Sequence, residues 1–378
     1  MSALQVVLAV VLAFSWLVLV AEALASYYLL RRRLRVDPPR WPSFSVLKPM
    51  AGLDDDLEEN LASHLALEYP GEFELILGIR SERDAAYPVA KAFAEQHPDR
   101  VRLVLQEGEP GLNPKVNQLI TLTRHARHEV IALTDANVRV PRHWLVEHAR
   151  YLAREGVGLT SNAFFGTGEA SLGSALDNLT LASFALPNLA TGDVLLRLSQ
   201  IVSKSIAIKR EALEAVGGWA AFKDLLAEDQ RLGSALRKAG YKTAICRTPV
   251  ENVQRTQGFS HFWGRSCRWA MMRFRVVVPG VYLEPLLNPT VLSTLLLLAA
   301  PGERWAWLAW GASMLWSAAF TQAVAVMGRP PFALRWLLLV PLRDYLLFAA
   351  WVRGRFMRTV DWRGNVLLVG KDTALSRP

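Results

Sequence analysis

Three aspartates and a pair of arginines are the side chains best placed by type and spacing to do chemistry. Asp84 and Asp135 each follow a short apolar run, Phe73 to Ile79 and Val130 to Thr134. In an open parallel sheet, ligands bind beyond the carboxyl ends of the strands, so acids in that position are candidates for ligand binding. Each also has a plain alternative, because Asp is common in turns and at helix N-caps. Asp229, with Glu228 beside it, opens a helical pattern, where an acid also offsets the macrodipole. Arg265 and Arg268 lie three residues apart and share a helical face, giving two cations one turn apart whose guanidinium forks suit a diphosphate. Trp269 next to them either packs beside a ligand or anchors the chain at a membrane interface. Lys115 and Asn117, in Gly111-Leu112-Asn113-Pro114-Lys115-Val116-Asn117, either line a ligand pocket or belong to an ordinary helix start with proline in its first turn. Cys267, His143 and His261 have no partners at metal-ligand spacing, so a catalytic histidine is not supported.

These residues need an α/β scaffold. Residues 41–275 have ordinary globular composition, with candidate strands at 44–47, 73–79, 101–105, 130–134, 157–161, 202–208 and 242–245. Helical patterns near 56–66, 85–96, 114–126, 142–154, 210–216 and 229–239 separate them. Runs such as Glu74 to Ile79 lack alternation, as expected when both faces of a mostly parallel sheet are covered. Val36-Asp37-Pro38-Pro39-Arg40 reads as a linker before this block.

Outside the block the chain is too apolar for water. With 52% hydrophobic residues and a mean hydropathy of +0.18, part of it is expected in lipid. The same apolar fraction excludes disorder, and the presence of only two cysteines excludes a disulfide-stapled domain and fits a reducing compartment. The formal charge of +9 sits beside apolar segments, at Arg31, Arg32, Arg33 and Arg35 and at Arg353, Arg355 and Arg358. That pattern points to anionic lipid head groups and away from nucleic acid.

The run from Val6 to Val20, resuming through Leu30, is long enough to span a bilayer. A signal peptide is the competing reading, with Ala23-Leu24-Ala25 as its cleavage site. No Lys or Arg precedes Arg31, so the positive-inside rule places the N-terminus outside and the following block in the cytoplasm. Leu286–Ala300 and Trp305–Val326 read as two further spans. Phe332–Val352, broken by Arg335, Pro341, Arg343 and Asp344, is an interfacial helix, a re-entrant hairpin or a span packed on its neighbours. The expected organisation is an anchor at 1–30, the α/β domain at 41–275 and a membrane region at 276–378.

Several motifs from Ser45 to Trp269 resemble those of family 2-like glycosyltransferases of the GT-A fold, specifically the ceramide glucosyltransferases and their bacterial relatives. They are Ser45-Val46-Leu47-Lys48-Pro49, Leu67-Glu68-Tyr69-Pro70, the Gly111 to Asn117 stretch, Thr134-Asp135-Ala136-Asn137-Val138-Arg139-Val140, Ala227-Glu228-Asp229 and Arg265-Ser266-Cys267-Arg268-Trp269. The resemblance implies a GT-A-type, Rossmann-like domain. It implies that Asp84 reads the uracil and ribose of a UDP-sugar and that Asp229 is the base for the acceptor hydroxyl. Asp135 would hold Mg²⁺ or Mn²⁺, a Lewis acid that neutralises the departing diphosphate. Lys115, Asn117, Arg265, Arg268 and Trp269 would bind the donor. Two departures stand out: Ser81 replaces a common acid before Asp84, and Asn137 stands where the second acid of an Asp-x-Asp is usual.

The activity this implies is inverting, metal-dependent transfer of a hexose to the hydroxyl of a membrane lipid at the cytoplasmic face of a bacterial inner membrane. Glucose from UDP-glucose and ceramide are the leading donor and acceptor. UDP-N-acetylglucosamine, UDP-galactose or UDP-glucuronate, with diacylglycerol or a hopanoid lipid, are the alternatives. A polysaccharide synthase shares the acids and the Arg-Trp motif, but three or four spans are few for threading a polymer. A non-catalytic nucleotide-binding scaffold would predict loss of an acid, whereas Asp84, Asp135 and Asp229 are all present. The segment Asp177 to Gln200 is expected to be a membrane-facing acceptor loop, with a buried helix as its alternative.

Overall fold

The computed structural model describes residues 1–32, 37–198, 200–276, 280–362 and 365–378. Arg33 and Arg35 of the basic cluster and Val36 of the expected linker lie outside the described residues. The chain forms two compact units: a sheet unit (Arg31–Phe164, Arg197–Gln254, Val366–Pro378) and a helical unit (Met1–Leu30, Phe165–Leu196, Arg255–Asn365). Residues 165–196 and 255–275, inside the expected α/β block, group with the helices.

In the sheet unit, β1 (Phe44–Pro49), β2 (Phe73–Ile79), β3 (Val101–Leu105), β4 (Val130–Thr134), β5 (Val138–Arg139), β6 (Val157–Thr167), β7 (Ser205–Lys209) and β8 (Lys242–Val253) make one sheet in the order β3-β2-β1-β4-β7-β6-β8-β5. The expected parallel arrangement holds for β1 to β4, where β1 pairs with both β2 and β4 and β2 pairs with β3. Elsewhere the pairing is antiparallel where β7 runs against β4, with Ser205 opposite Thr134, where β6 runs against β7 and where β5 runs against β8. All residues of β1 and β4 are buried, as the lack of alternation requires of strands covered on both faces. Helices α2 (Leu57–Leu65), α3 (Tyr87–Gln96), α4 (Pro114–His125), α5 (Trp144–Leu152), α8 (Arg210–Ala215) and α9 (Glu228–Lys238) connect the strands.

In the helical unit are α1 (Ala3–Arg31), α6 (Leu172–Thr180), α7 (Leu186–Val194), α10 (Phe259–Val276), α11 (Pro289–Ala299), α12 (Arg304–Ala325), α13 (Leu334–Leu337) and α14 (Val340–Phe356). By length and composition α1 is the one described helix able to cross a membrane. It buries Leu12, Leu19 and Leu29 and leaves Val6, Val7, Val10, Phe14, Leu17 and Leu24 exposed. The stretch expected as a span at Leu286–Ala300 is bent: a 3₁₀ segment, Gly280–Leu287, meets α11 at 68°. The break falls where Asn288 caps α11 by accepting from the Val291 N–H, with Pro289 in the first turn.

The broken stretch at 332–352 folds as α13 and α14, with Arg335 exposed over the Trp336 ring and the charges of Arg343 and Asp344 neutralised inside the unit. Arg343 pairs with Asp344 at 2.9 Å, and Asp344 accepts from the Thr290 hydroxyl at 2.6 Å. Helices α10 and α14 meet at Gly354, where a Cβ would lie 2.6 Å from that of Ala270. The expected acceptor loop at 177–200 is helical as far as Val194, continuing from α6 through a π turn at 181–185 into α7.

Candidate active site

In the sheet unit, β4 ends at Thr134, and the antiparallel partner β7 brings residues 203–204 alongside: the Asp135 N–H donates to the Lys204 carbonyl at 3.2 Å. Two ammonium groups converge on Asp135. Lys115, from the first turn of α4, donates to Oδ1 at 2.6 Å, and Lys204 lies 2.9 Å from Oδ2. Burial alone would raise the Asp135 pKa, but Lys115 and Lys204 hold it well below the usual carboxylate range. Burial draws Lys115 down, and Asp135 and Glu228 outweigh it and raise its pKa. Asp135 and Lys115 are therefore both ionised at neutral pH.

Beneath this turn, Lys48 is completely buried in β1 and donates to the carbonyls of Asp135 and Val138 at 2.9 and 3.0 Å. Burial lowers its pKa to about 7. Lys48 holds the turn that presents Asp135, and His64 supports the same turn through the Thr134 hydroxyl at 3.1 Å.

Lys115 also stands 3.9 Å from Glu228 Oε1, which links Asp135 to the acids at the start of α9. Glu228 is 5% exposed. It accepts from the Ser203 hydroxyl at 3.2 Å and from the Asn113 amide at 3.3 Å. Asp229 is half-buried and accepts two backbone N–H bonds, from Ser203 at 3.0 Å and Gln230 at 2.7 Å. Burial raises both pKa values, and the neighbouring Asp229 charge helps push Glu228 up to about 7. Backbone N–H donors favour the charged form of a carboxyl group. The negative charge of the pair is thereby directed to Asp229, and Glu228 is the member that takes up a proton first.

The other sequence candidates are tied up to different degrees. Asp84 bridges two loops, its Oδ1 accepting from the N–H groups of Gly52 at 2.8 Å and Ala86 at 2.9 Å. Arg80 instead pairs with Glu109. Asn117 closes its own loop by bonding both the N–H and the carbonyl of Gly111, at 2.9 and 2.8 Å. Gly111 is required there, since a Cβ would lie 2.5 Å from the Lys223 carbonyl oxygen. Asn113 is the N-cap of α4, accepting from the N–H groups of Lys115 and Val116, and Pro114 occupies the first turn. Asn137 donates to Asn252 Oδ1 at 3.2 Å and accepts from Lys204 at 3.3 Å.

In the helical unit, the two arginines of α10 differ. Arg265 is 7% exposed, pairs with the buried Asp177 at 2.6 Å and lies over the Trp269 ring at 4.8 Å. Arg268 makes no hydrogen bond or ion pair to a described residue, and burial beside Arg265 lowers its pKa.

Lys204, Ser203, Lys48 and Glu228 complete the cluster, and sequence reasoning gave the first three no role. The available signal was Lys48, a charged residue inside an otherwise apolar strand, which implies a buried partner. Among the described residues, no group of three or more His, Cys, Asp or Glu is placed to hold a metal ion. The donor set fits an ion that arrives with its phosphates, because Mg²⁺ keeps only one or two protein carboxylates and fills its shell with phosphate and water. Asp135 is ionised and its side chain is 24% exposed, which suits it to be that single ligand.

Asp135 at the end of β4 and the acid pair that opens α9 are thus joined through Lys115 within one α/β sheet unit. The chain belongs to Glycosyl transferase family 21, whose match extends over residues 10–375. It is similar to ceramide glucosyltransferase 1 of Caenorhabditis elegans, 28% identical over 265 residues that make up 69% of this chain and 56% of that protein. Ceramide glucosyltransferase 3 of the same organism is 27% identical over 69% of this chain and 57% of its own length. The matched region therefore spans little more than half of these relatives. Among solved structures, a mannosyltransferase from Pyrobaculum calidifontis in complex with GDP-Man and Mn²⁺ shares the fold. The two are 20% identical, with a TM-score of 0.54 over 93% of this chain and 99% of that one.

Proposed function

We propose that the protein transfers a hexose from a nucleotide diphosphate sugar to the hydroxyl of a membrane lipid, with UDP-glucose and ceramide as donor and acceptor. The observation that carries this reading is the continuous network Asp135–Lys115–Glu228/Asp229. It joins a fully ionised strand-end carboxylate to an acid pair, one member of which keeps its charge. The family and its ceramide glucosyltransferase relatives support the choice of lipid.

In this mechanism Asp229 removes the acceptor proton, and the sugar is passed with inversion. Lys115 and Lys204 supply positive charge where the diphosphate leaves. Asp135 would hold Mg²⁺ or Mn²⁺, which supplies Lewis-acid neutralisation of that diphosphate. Arg268 is assigned to the diphosphate as well. Arg265, already paired with Asp177, is the structural member of the motif. Asp84 binds the uridine moiety with the carboxylate that its two backbone N–H donors orient. The apolar, outward-facing surface of α1 supports an anchor in the inner membrane with the sheet unit in the cytoplasm.

Mass spectrometry of lipids from a heterologous host that makes ceramide, expressing the chain, tests the reading. A new hexosylceramide is the expected product, and a hexose found on diacylglycerol instead would change the acceptor. An unaltered lipidome, with the protein folded and in the membrane fraction, would remove the assignment.

A further inference from the structure

The helical unit contains a cavity whose lining includes none of the residues assigned above to the proton, the metal or the diphosphate. It encloses about 1080 Å³ of space including its open mouth, between α1, the turn joining α6 to α7, α10, α11, α12 and α14. Its lining is divided. Leu19, Phe184, Trp269, Phe320, Leu347 and Trp351 provide an apolar and aromatic part, serines, threonine and asparagines add neutral polar groups, and Glu22, Arg265, Arg273, Glu284, Arg343 and Asp344 are charged.

The charged lining is almost wholly neutralised from within. Arg265 pairs with Asp177 at 2.6 Å, Arg343 with Asp344 at 2.9 Å, and Arg273 with Glu284 through two contacts at 2.8 and 3.0 Å. A phosphate or carboxylate entering here would have to break one of these pairs, and taking one partner from a buried pair is costly. Glu22 of α1 is different. It lines the cavity and makes no side-chain hydrogen bond or ion pair to a described residue. A carboxylate in an apolar helix facing such a cavity needs donors, and an ionisable residue within a spanning helix is a functional candidate for that reason.

The geometry points to a binding site for an uncharged lipid whose head carries hydroxyl or amide N–H donors, with Glu22 accepting from the head and the aromatic part of the lining covering the adjacent methylenes. The occupant follows from charge. The paired cations reject an anionic head, the unpaired carboxylate rejects an acceptor-only head, and the divided lining matches a molecule that is polar at one end. An N-acylated amino diol fits all three requirements. This inference rests on the proposed lipid acceptor and adds where, and by which group, that lipid is held.

The test uses the purified full-length chain in detergent and a ceramide carrying a photoactivatable diazirine on its acyl chain, without any sugar nucleotide. Labelled peptides should contain Phe184, Trp269 or Trp351. Unlabelled ceramide should compete and phosphatidic acid should not. Glu22→Gln and the cavity-filling Leu347→Trp should each lower labelling at least about tenfold, with binding of UDP unchanged as a check on folding. Labelling confined to other segments, equal competition by phosphatidic acid, or full labelling of both variants overturns the site. The two readings fail separately. Labelling in the cavity with no hexosyl-lipid formed from any UDP-sugar removes the proposed activity and leaves the site, whereas transfer with an unlabelled cavity does the reverse.

Discussion

In the sheet unit three carboxylates, Asp135, Glu228 and Asp229, share the ammonium groups of Lys115 and Lys204, while in the helical unit Asp177, Glu284 and Asp344 each have an arginine of their own. The first arrangement leaves like charges crowded together, and Glu228 is pushed to about 7 by burial and by Asp229. The second resolves each charge locally. Crowded, shared charge is suited to accepting a proton and a diphosphate, because protonation states there lie close in energy. Paired charge is suited to enclosing something neutral.

The largest effect that can break this contrast is loss of the metal. Asp135 alone, with both oxygens engaged by lysine, should bind Mn²⁺ or Mg²⁺ weakly by itself and well when UDP is present. Calorimetry should show no metal binding to the nucleotide-free protein and a clear heat with UDP added, and transfer should vanish in chelator. Full turnover in chelator would show that Lys115, Lys204 and Arg268 neutralise the diphosphate unaided.

Next in size is the base. Asp229→Asn keeps the shape but not the basic carboxylate, so transfer should fall at least about a hundredfold while UDP affinity is kept. Glu228→Gln mimics the protonated state that Glu228 adopts first, so it should retain far more activity. The pH dependence follows with its sign. Protonation of Glu228 near 7 leaves Asp229 charged, so kcat/KM should stay nearly level through pH 7 and fall only at lower pH, as Asp229, its own pKa raised by burial, takes up a proton. By the same linkage, stability derived from Glu228 is present below its unfolded pKa and is lost as pH rises through about 7. Glu228→Gln should flatten the stability slope and leave the activity fall, which belongs to Asp229. A kcat/KM that falls as pH drops through about 7, or loss of activity in Glu228→Gln with Asp229→Asn near normal, would move the base one residue back.

A smaller effect separates the two arginines. Arg268→Ala should weaken UDP binding by about tenfold, the scale of one charge-assisted hydrogen-bonded contact. Arg265→Ala should act on stability instead, since it breaks a buried ion pair by removing one partner, a loss that typically costs about 3–5 kcal/mol. Thermal unfolding and UDP titration of both variants distinguish these outcomes. Equal loss of UDP affinity without destabilisation in Arg265→Ala would return both residues to the diphosphate.

Much of this was legible in the residues. Strands β1 to β4 and the helices between them followed from unalternated apolar runs and from the Asn-Pro-Lys start of α4, because both signals are local. The placement of Lys204 beside Asp135 was not legible, since it depends on β7 pairing antiparallel with β4 across some seventy residues of chain. The helical run at 172–194 was masked by Pro187 and Gly192, which read as loop signals although the segment is buried and capped by Ser171. The two arginines of α10 looked equivalent because spacing reports a shared face but not the Asp177 that reaches only one of them.

The smallest expected effect concerns Asn137, where an Asp-x-Asp would carry its second acid. Its amide donates to Asn252 Oδ1 at 3.2 Å and to the Val253 carbonyl at 3.3 Å, while its own oxygen accepts from Lys204 at 3.3 Å. Asn137→Asp replaces two donated bonds by a carboxylate facing two acceptor oxygens, and gains a charge beside Lys204. A hydrogen bond contributes about 1 kcal/mol net, similar to what a partly exposed ion pair returns, so the two changes nearly offset. Turnover should stay within about tenfold of the native value. The second acid would also draw Lys204 from Asp135 Oδ2 and free that oxygen, so half-saturation should occur at lower metal concentration, read from an Mn²⁺ titration of the transfer rate. An unchanged titration would mean that Lys204 stays on Asp135 and that the second position does not ligate. Complete loss of activity would mean that the bonds to β8, rather than the chemistry of the side chain, are what the turn after β4 requires.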